Sequence, residues 1–146
     1  MVISKNKRAY FDYQIIEKYI AGIKLQGSEV KSIRDNKVSI TEAYCFISNG
    51  EMFIKNMHVA EYKQSGANNH KPLRDRKLLL KKKEIIKLSE KTAQRGLTII
   101  PIELILSDTG FIKLQIGLAK GKNTINKKSA IKDRDVKREL QRNFKV

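Results

Sequence analysis

The chain has 146 residues, with 31 Lys or Arg against 15 Asp or Glu, a formal charge of +16, and 40% hydrophobic residues. This composition suits one domain with its own core and contains no apolar run near the roughly 18 residues that cross a bilayer. Cys45 is the sole cysteine, which excludes an internal disulfide and a Cys-cluster zinc site.

Along the chain, Tyr13, Ile15, Tyr19, Ala21, Ile23 and Leu25 share one parity, with Gln14, Lys18, Lys24 and Gln26 on the other. This is the period of a half-buried strand, and Ile16 and Ile20 interrupt its polar face. A short helix is expected over 28–34, with Ser28 as cap and Val30 and Ile33 on one side, ended by Asp35-Asn36. Val38, Ile40, Tyr44 and Phe46 alternate, Asn49-Gly50 signals a tight hairpin, and 52–59 is the expected partner strand. Residues 61–76, with Gly66, two Asn and Pro72 and no apolar period, read as a long loop.

The spacing of Ile85, Leu88 and Thr92 predicts a helix over 81–95, with Gly96 at its C-terminal stop. A second hairpin is expected from 97–106 and 111–119 around Ser107-Asp108-Thr109-Gly110. Ile112, Leu114, Ile116 and Leu118 point inward there, and Lys113 and Gln115 outward. Pro101 lacks an N–H and belongs at a sheet edge or bulge. Five or six strands with two short helices predict a mainly β protein, an OB-like antiparallel β-barrel over 1–121. Residues 120–146 hold 10 basic and 3 acidic side chains, so 122–146 reads as a basic C-terminal tail, disordered when free.

No catalytic constellation emerges, and the chain is not expected to be an enzyme or to carry a metal or cofactor. His58 and His70 have no cysteine or carboxylate at ligand spacing, Glu29 and Glu51 are isolated carboxylates, and no Gly-rich phosphate cradle is present. Cys45, between Tyr44 and Phe46, reads as a small hydrophobe. Met1 to Tyr10 is Lys-rich without an apolar stretch behind it, so no secretion signal and a cytoplasmic setting are expected.

The charge asks for a polyanion, nucleic acid before a membrane surface, because the chain has no Trp and no evident basic amphipathic anchor. The densest cluster is Lys71, Arg74, Arg76, Lys77, Lys81, Lys82 and Lys83, against Asp75 alone. There the arginine forks suit phosphate, and His70 suits a base or a ribose. Further concentrations are Lys5, Lys7 and Arg8; Lys31 and Arg34; and Lys120 and Lys122 around Gly121. If helical, the tail places Ile131, Leu140 and Phe144 near one side, with Lys137, Arg138 and Arg142 on others. It is too weak a helix to fold alone and suited to ordering against RNA.

Four blocks carry a resemblance: Asn6-Lys7-Arg8; the string from Ala21 to Arg34 around Gly27-Ser28-Glu29-Val30-Lys31-Ser32; His70-Lys71-Pro72-Leu73-Arg74-Asp75-Arg76-Lys77-Leu78-Leu79-Leu80; and Gly117-Leu118-Ala119-Lys120-Gly121-Lys122. From about Asn6 to Arg142 the chain resembles the SsrA-binding protein (SmpB) family. The resemblance implies a monomeric, non-catalytic adaptor on an OB-like barrel. Such an adaptor binds the tRNA-like domain of transfer-messenger RNA, stands where an anticodon arm would be, and escorts the RNA to stalled ribosomes. It also implies that the tail enters the empty mRNA channel as a helix.

Asn6, Lys7, Arg34, Arg74, Arg76, Lys77, Leu79, Lys120 and Lys122 match the family's RNA-binding face, and Arg8, Lys31 and His70 join them on the charge argument. Asn126, Lys127, Lys128, Lys132, Arg134, Lys137, Arg138 and Arg142 are the expected ribosome contacts. Two departures stand out: Ile20 occupies the place of a family Glu before Ala-Gly, and the tail has Asn123, Asn126 and Lys128 where the family has Lys, Asp and Arg. The second departure predicts weaker or differently placed engagement at the decoding centre. A generic OB-type ribosomal RNA-binding or assembly protein would share the charge and the barrel.

Overall fold

Two of the longest strands, Tyr13–Ile23 and Ile112–Gly121, form where the period-2 pattern is strongest. In the computed structural model, which describes residues 1–94 and 96–121, the elements run β1 (Val2–Lys5), α1 (Ala9–Asp12), β2 (Tyr13–Ile23), α2 (Gly27–Arg34), β3 (Val38–Ser39), β4 (Tyr44–Ser48) and β5 (Glu51–Lys55). They continue with β6 (His58–Val59), a 3-10 segment (Lys63–Asn68), β7 (Arg76–Leu79), α3 (Lys82–Thr92), β8 (Leu97–Leu106) and β9 (Ile112–Gly121). Seven strands form one antiparallel sheet in the order β1-β8-β9-β2-β7-β5-β4, and β3 with β6 forms a second, small one. Among the described residues no ladder joins β1 to β4. The observed architecture is therefore a mainly β antiparallel sheet with three short helices, one more than expected. Of the described residues, no helix is long and apolar enough to cross a membrane.

Both irregular positions in the sequence pattern mark bulges or open surface. The β2–β9 register shifts between Ile15 and Glu17, which turns Ile16 out to 47% exposure. Ile20 lies outside that bulge, opposite Gln115, and is exposed on the outer face. Pro101 sits at a register shift of β8, as expected, and the side-chain amide of Asn6 donates to its carbonyl at 2.9 Å. Asn49 and Gly50, with φ of 53° and 76°, close the β4–β5 hairpin.

Several expectations need correction. Ser28 is not the cap of α2: the helix starts at Gly27, and the Glu29 carboxylate accepts the Gln26 N–H at 2.8 Å. The hydroxyl of Ser28 is committed elsewhere, to His70 Nδ1 at 2.8 Å. The alternation from Val38 does not carry through to Tyr44, because residues 41–43 turn with the Ala43 N–H bonded to Ile40 O. The phase slips by one there, so Cys45 faces the core and Tyr44 faces out. Burial pushes the Cys45 thiol up, in keeping with a core hydrophobe. The strand expected over 52–59 breaks at Asn56, whose φ is 63°, into β5 and β6. The loop expected over 61–76 contains the 3-10 segment and ends at β7, whose inward Arg76 hid its strand pattern.

One core runs between the sheet and the helices, with Ile33 of α2, Leu88 of α3 and Met52, Ile54, Leu78, Leu104, Leu114 and Ile116 of the sheet fully buried. A smaller cluster gathers Ala9, Ile100, Ile102 and Ala119. Between the two, β9 passes close to its neighbours at Gly117, where an added Cβ would stand 2.8 Å from Ile102 Cδ1 and 3.1 Å from Ile15 Cγ2. Overpacking of this kind costs about 1–3 kcal/mol. Gly117→Ala is therefore expected to lower the unfolding free energy in urea titrations by that amount without altering the secondary structure seen by circular dichroism.

Candidate nucleic-acid interface

The charged residues singled out in the sequence divide, in three dimensions, into an internal part and an external part. The internal part is built on Glu29 in the first turn of α2, where its carboxylate completes the helix cap and is wholly buried. Oε1 accepts from Arg74 Nη2 and Oε2 from Arg76 Nε, both at 2.5 Å. Arg76 is also wholly buried, and its remaining N–H groups donate to Met57 O at 2.6 Å and Pro72 O at 3.2 Å. Glu29 is thus not the isolated carboxylate that its sequence neighbourhood suggests. Residues 72–76 fold back so that its partners arrive from 45 and 47 positions downstream.

Burial alone would raise the carboxyl pKa of Glu29, but the hydrogen bonds from Arg74, the Gln26 N–H and Arg76 outweigh it and hold the group below its ordinary value. Burial likewise pulls the Arg76 guanidinium down, against the opposing pull of Glu29. His70, also buried, bridges Ser28 Oγ and Val59 O, the latter at 2.9 Å, and so ties the same loop to α2 and β6. Asn6 is the third predicted contact to lie inside. Its amide donates to Pro101 O and its Oδ1 accepts the Arg8 N–H at 3.2 Å.

The external part is lysine-rich. Lys31 and Arg34 project from the exposed side of α2, Lys31 lying 5.5 Å from the centre of the Tyr62 ring and Arg34 donating to Gly110 O at 3.2 Å. Lys7 and Arg8 are exposed ahead of α1, with Arg8 paired to Asp12 at 3.1 Å. Lys120 is exposed opposite Gln14, near the end of the β2–β9 ladder. Lys77 is paired with Glu51 on the outer sheet face, next to Leu79, which is 51% exposed.

Leu79 packs beside Gly22, where a Cβ would meet its own Cβ at 3.3 Å, so glycine keeps the floor of a shallow groove open. Ile20, Lys113 and the start of α3 complete that groove. At α3 the Lys81 N–H is accepted by Glu84 Oε1 at 3.0 Å, which places an acid in the helical turn that the Lys81-Lys82-Lys83 run left bare of negative charge. Lys122, Asn126, Lys127, Lys128, Lys132, Arg134, Lys137, Arg138 and Arg142 lie outside the described residues. No group of His, Cys, Asp and Glu suited to a metal ion occurs among the described residues.

Fold and site together define a class: a small antiparallel β protein that ties Arg74 and Arg76 to a buried carboxylate and presents its other described cations, mostly lysines, outside. Residues 3–146 match the family described as SmpB protein, and the chain belongs to that family. It is 52% identical to the SsrA-binding protein of Acholeplasma laidlawii, over 99% of this chain and 96% of that protein. To the SsrA-binding protein of Phocaeicola vulgatus it is 49% identical, over 97% and 94%. A solved structure described as "tmRNA-SmpB: a journey to the center of the bacterial ribosome" is similar at 42% identity. It has a TM-score of 0.67 and covers 81% of this chain and 82% of that one.

Removing the Glu29 charge leaves a guanidinium unpaired in the core, a loss worth about 3–5 kcal/mol. Glu29→Gln is expected to lower unfolding free energy at neutral pH by that order in urea titrations. Because the folded-state pKa is depressed, the contribution is complete above the ordinary carboxylate value and disappears as pH falls through the lower, folded one. The gap between wild type and Glu29→Gln should therefore close on acidification across that window; a gap that stays constant would contradict the ion pair's role.

Proposed function

We propose that this protein is the non-enzymatic RNA-binding adaptor of trans-translation. It binds the tRNA-like domain of transfer-messenger RNA, the SsrA RNA, and delivers it to stalled ribosomes from the cytoplasm as a monomer. The observation that carries this reading is the sorting of charge. The two arginines that could most readily hold phosphate are spent on Glu29, one of them completely, and cations such as Lys7, Arg8, Lys31, Arg34 and Lys120 stand on the described surface of a chain with net charge +16. Family membership and relatives that bear the name SsrA-binding protein support the choice of RNA.

In this reading Lys7, Arg8, Lys31, Arg34, Lys77, Lys120 and Lys122 meet phosphates, with the half-exposed edge of Arg74, and Leu79 supplies an apolar contact. Asn6, His70 and Arg76 hold the turn and loop that carry those groups. The sheet curls as an OB-like barrel over 1–121 and mimics an anticodon arm. The tail, 122–146, reaches the decoding centre and mRNA channel as a helix through Asn126, Lys127, Lys128, Lys132, Arg134, Lys137, Arg138 and Arg142.

A titration of the full chain against the tRNA-like domain, with an equal-length ribosomal RNA hairpin as competitor, tests the reading at about 0.15 M salt, where exposed charges are already screened beyond roughly 8 Å. Selective binding to the tRNA-like domain is expected. Equal binding to both RNAs would transfer the reading to a generic ribosomal RNA-binding or assembly protein. Lys31→Ala with Arg34→Ala should weaken binding and reduce the slope of log affinity against log salt by about 1 for each phosphate contact removed, leaving the unfolding free energy within about 0.5 kcal/mol of wild type.

A further inference from the structure

Tyr44 and Phe46 of β4 and Phe53 of β5 share the outward side of the sheet, away from the core that Cys45, Met52 and Ile54 fill. Phe46 lies directly opposite Phe53, the two rings stacked with centroids 5.5 Å apart and planes 23° from parallel. Tyr44 continues the row, its ring centre 6.4 Å from that of Phe46, and is 43% exposed. In the described sheet β4 has β5 on one side and no strand on the other.

Lysines border the aromatics on the same face: Lys55 is opposite Tyr44, and Lys77 is opposite Phe53 on β7. The acid of this face, Glu51, is already paired with Lys77, and Lys55 has no ion pair among the described residues. An aromatic row with cations along its border matches one chemistry above others: a base lying on a ring while its phosphate meets an ammonium group. A protein partner would have to offer acidic groups around an apolar centre, whereas RNA carries both parts in every unpaired nucleotide.

We infer that Tyr44, Phe46 and Phe53, with Lys55 at their border, form a stacking subsite for an unpaired nucleotide of the tRNA-like RNA. This extends the footprint across the sheet from the Leu79 groove, and it rests on the function proposed above. The subsite reads the presence of an accessible base plane more than its identity, since every base has a π face.

Two full-chain variants test it. Tyr44→Leu combined with Phe46→Leu keeps apolar bulk and removes the ring faces. Its affinity for the tRNA-like domain is expected to fall about fivefold to a hundredfold, with the unfolding transition still cooperative. Phe46→Trp places a single fluorophore in a chain that has no Trp, and its emission should be quenched as that RNA is titrated in. Should the double variant fail to fold, the tryptophan readout decides. Wild-type binding without quenching at saturation, or a folded double variant that binds within twofold of wild type, overturns the subsite while leaving the proposed function in place. Quenching by a ribosomal RNA hairpin and not by the tRNA-like domain overturns the assignment to this RNA. Failure of the wild type itself to bind the tRNA-like domain is the separate failure of the functional reading.

Discussion

The structure turns on one carboxylate. Glu29 ends the N-terminus of α2 and, with the same two oxygens, receives Arg74 and Arg76 from the loop and strand that lie across the sheet from it. A buried ion pair contributes little net stability when compared with apolar groups of the same shape, but once present it tolerates no vacancy. Its effect here is geometric. The loop before β7 has one position in which both guanidinium groups are satisfied, and in that position His70 also reaches Ser28. The surface cations on α2 and β7 are thereby held at a set separation by a buried polar pair set in an apolar core.

This arrangement explains why binding residues and supporting residues are hard to separate in the sequence. Arg74, Arg76 and Lys77 stand almost side by side, yet a strand sends alternate residues to opposite faces. Arg76 therefore enters the core, and Lys77 points to solvent on the same sheet face as Phe53. Charge density alone assigns all three to phosphate; the two-residue period assigns them to two tasks. The half-buried Arg74 belongs partly to each.

What the sequence makes legible follows from local physics. The turn at Asn49-Gly50, the second hairpin, the Ile85 and Leu88 stripe of α3, the inward parity of β9 and the bulge at Pro101 all depend on neighbours within a few residues and are where the pattern puts them, although α3 ends at Thr92, ahead of the expected stop at Gly96. The losses come where a distant partner overrides local character. Ser28 forgoes its cap for a histidine 42 residues away, and β7 is concealed because a buried arginine sits where an apolar residue should. Likewise β1 is too short to show a period and exists through its pairing with β8. Of the candidate site, the depth of the residues was not legible: Asn6, His70 and Arg76 are polar residues whose partners are protein atoms, and no spacing rule distinguishes these from residues waiting for a ligand.

The strand order also governs when the fold can come into being. The central strand β2 pairs with β9 from Tyr13 against Gly121 to Gly22 against Lys113, and its other neighbour is β7. No strand close in sequence pairs with it. During synthesis β2 must therefore wait for its longest partner until the last strand of the sheet has been made, whereas the β4–β5 and β3–β6 pairs can close early. The abundant lysines that serve the folded surface also keep the waiting segment soluble.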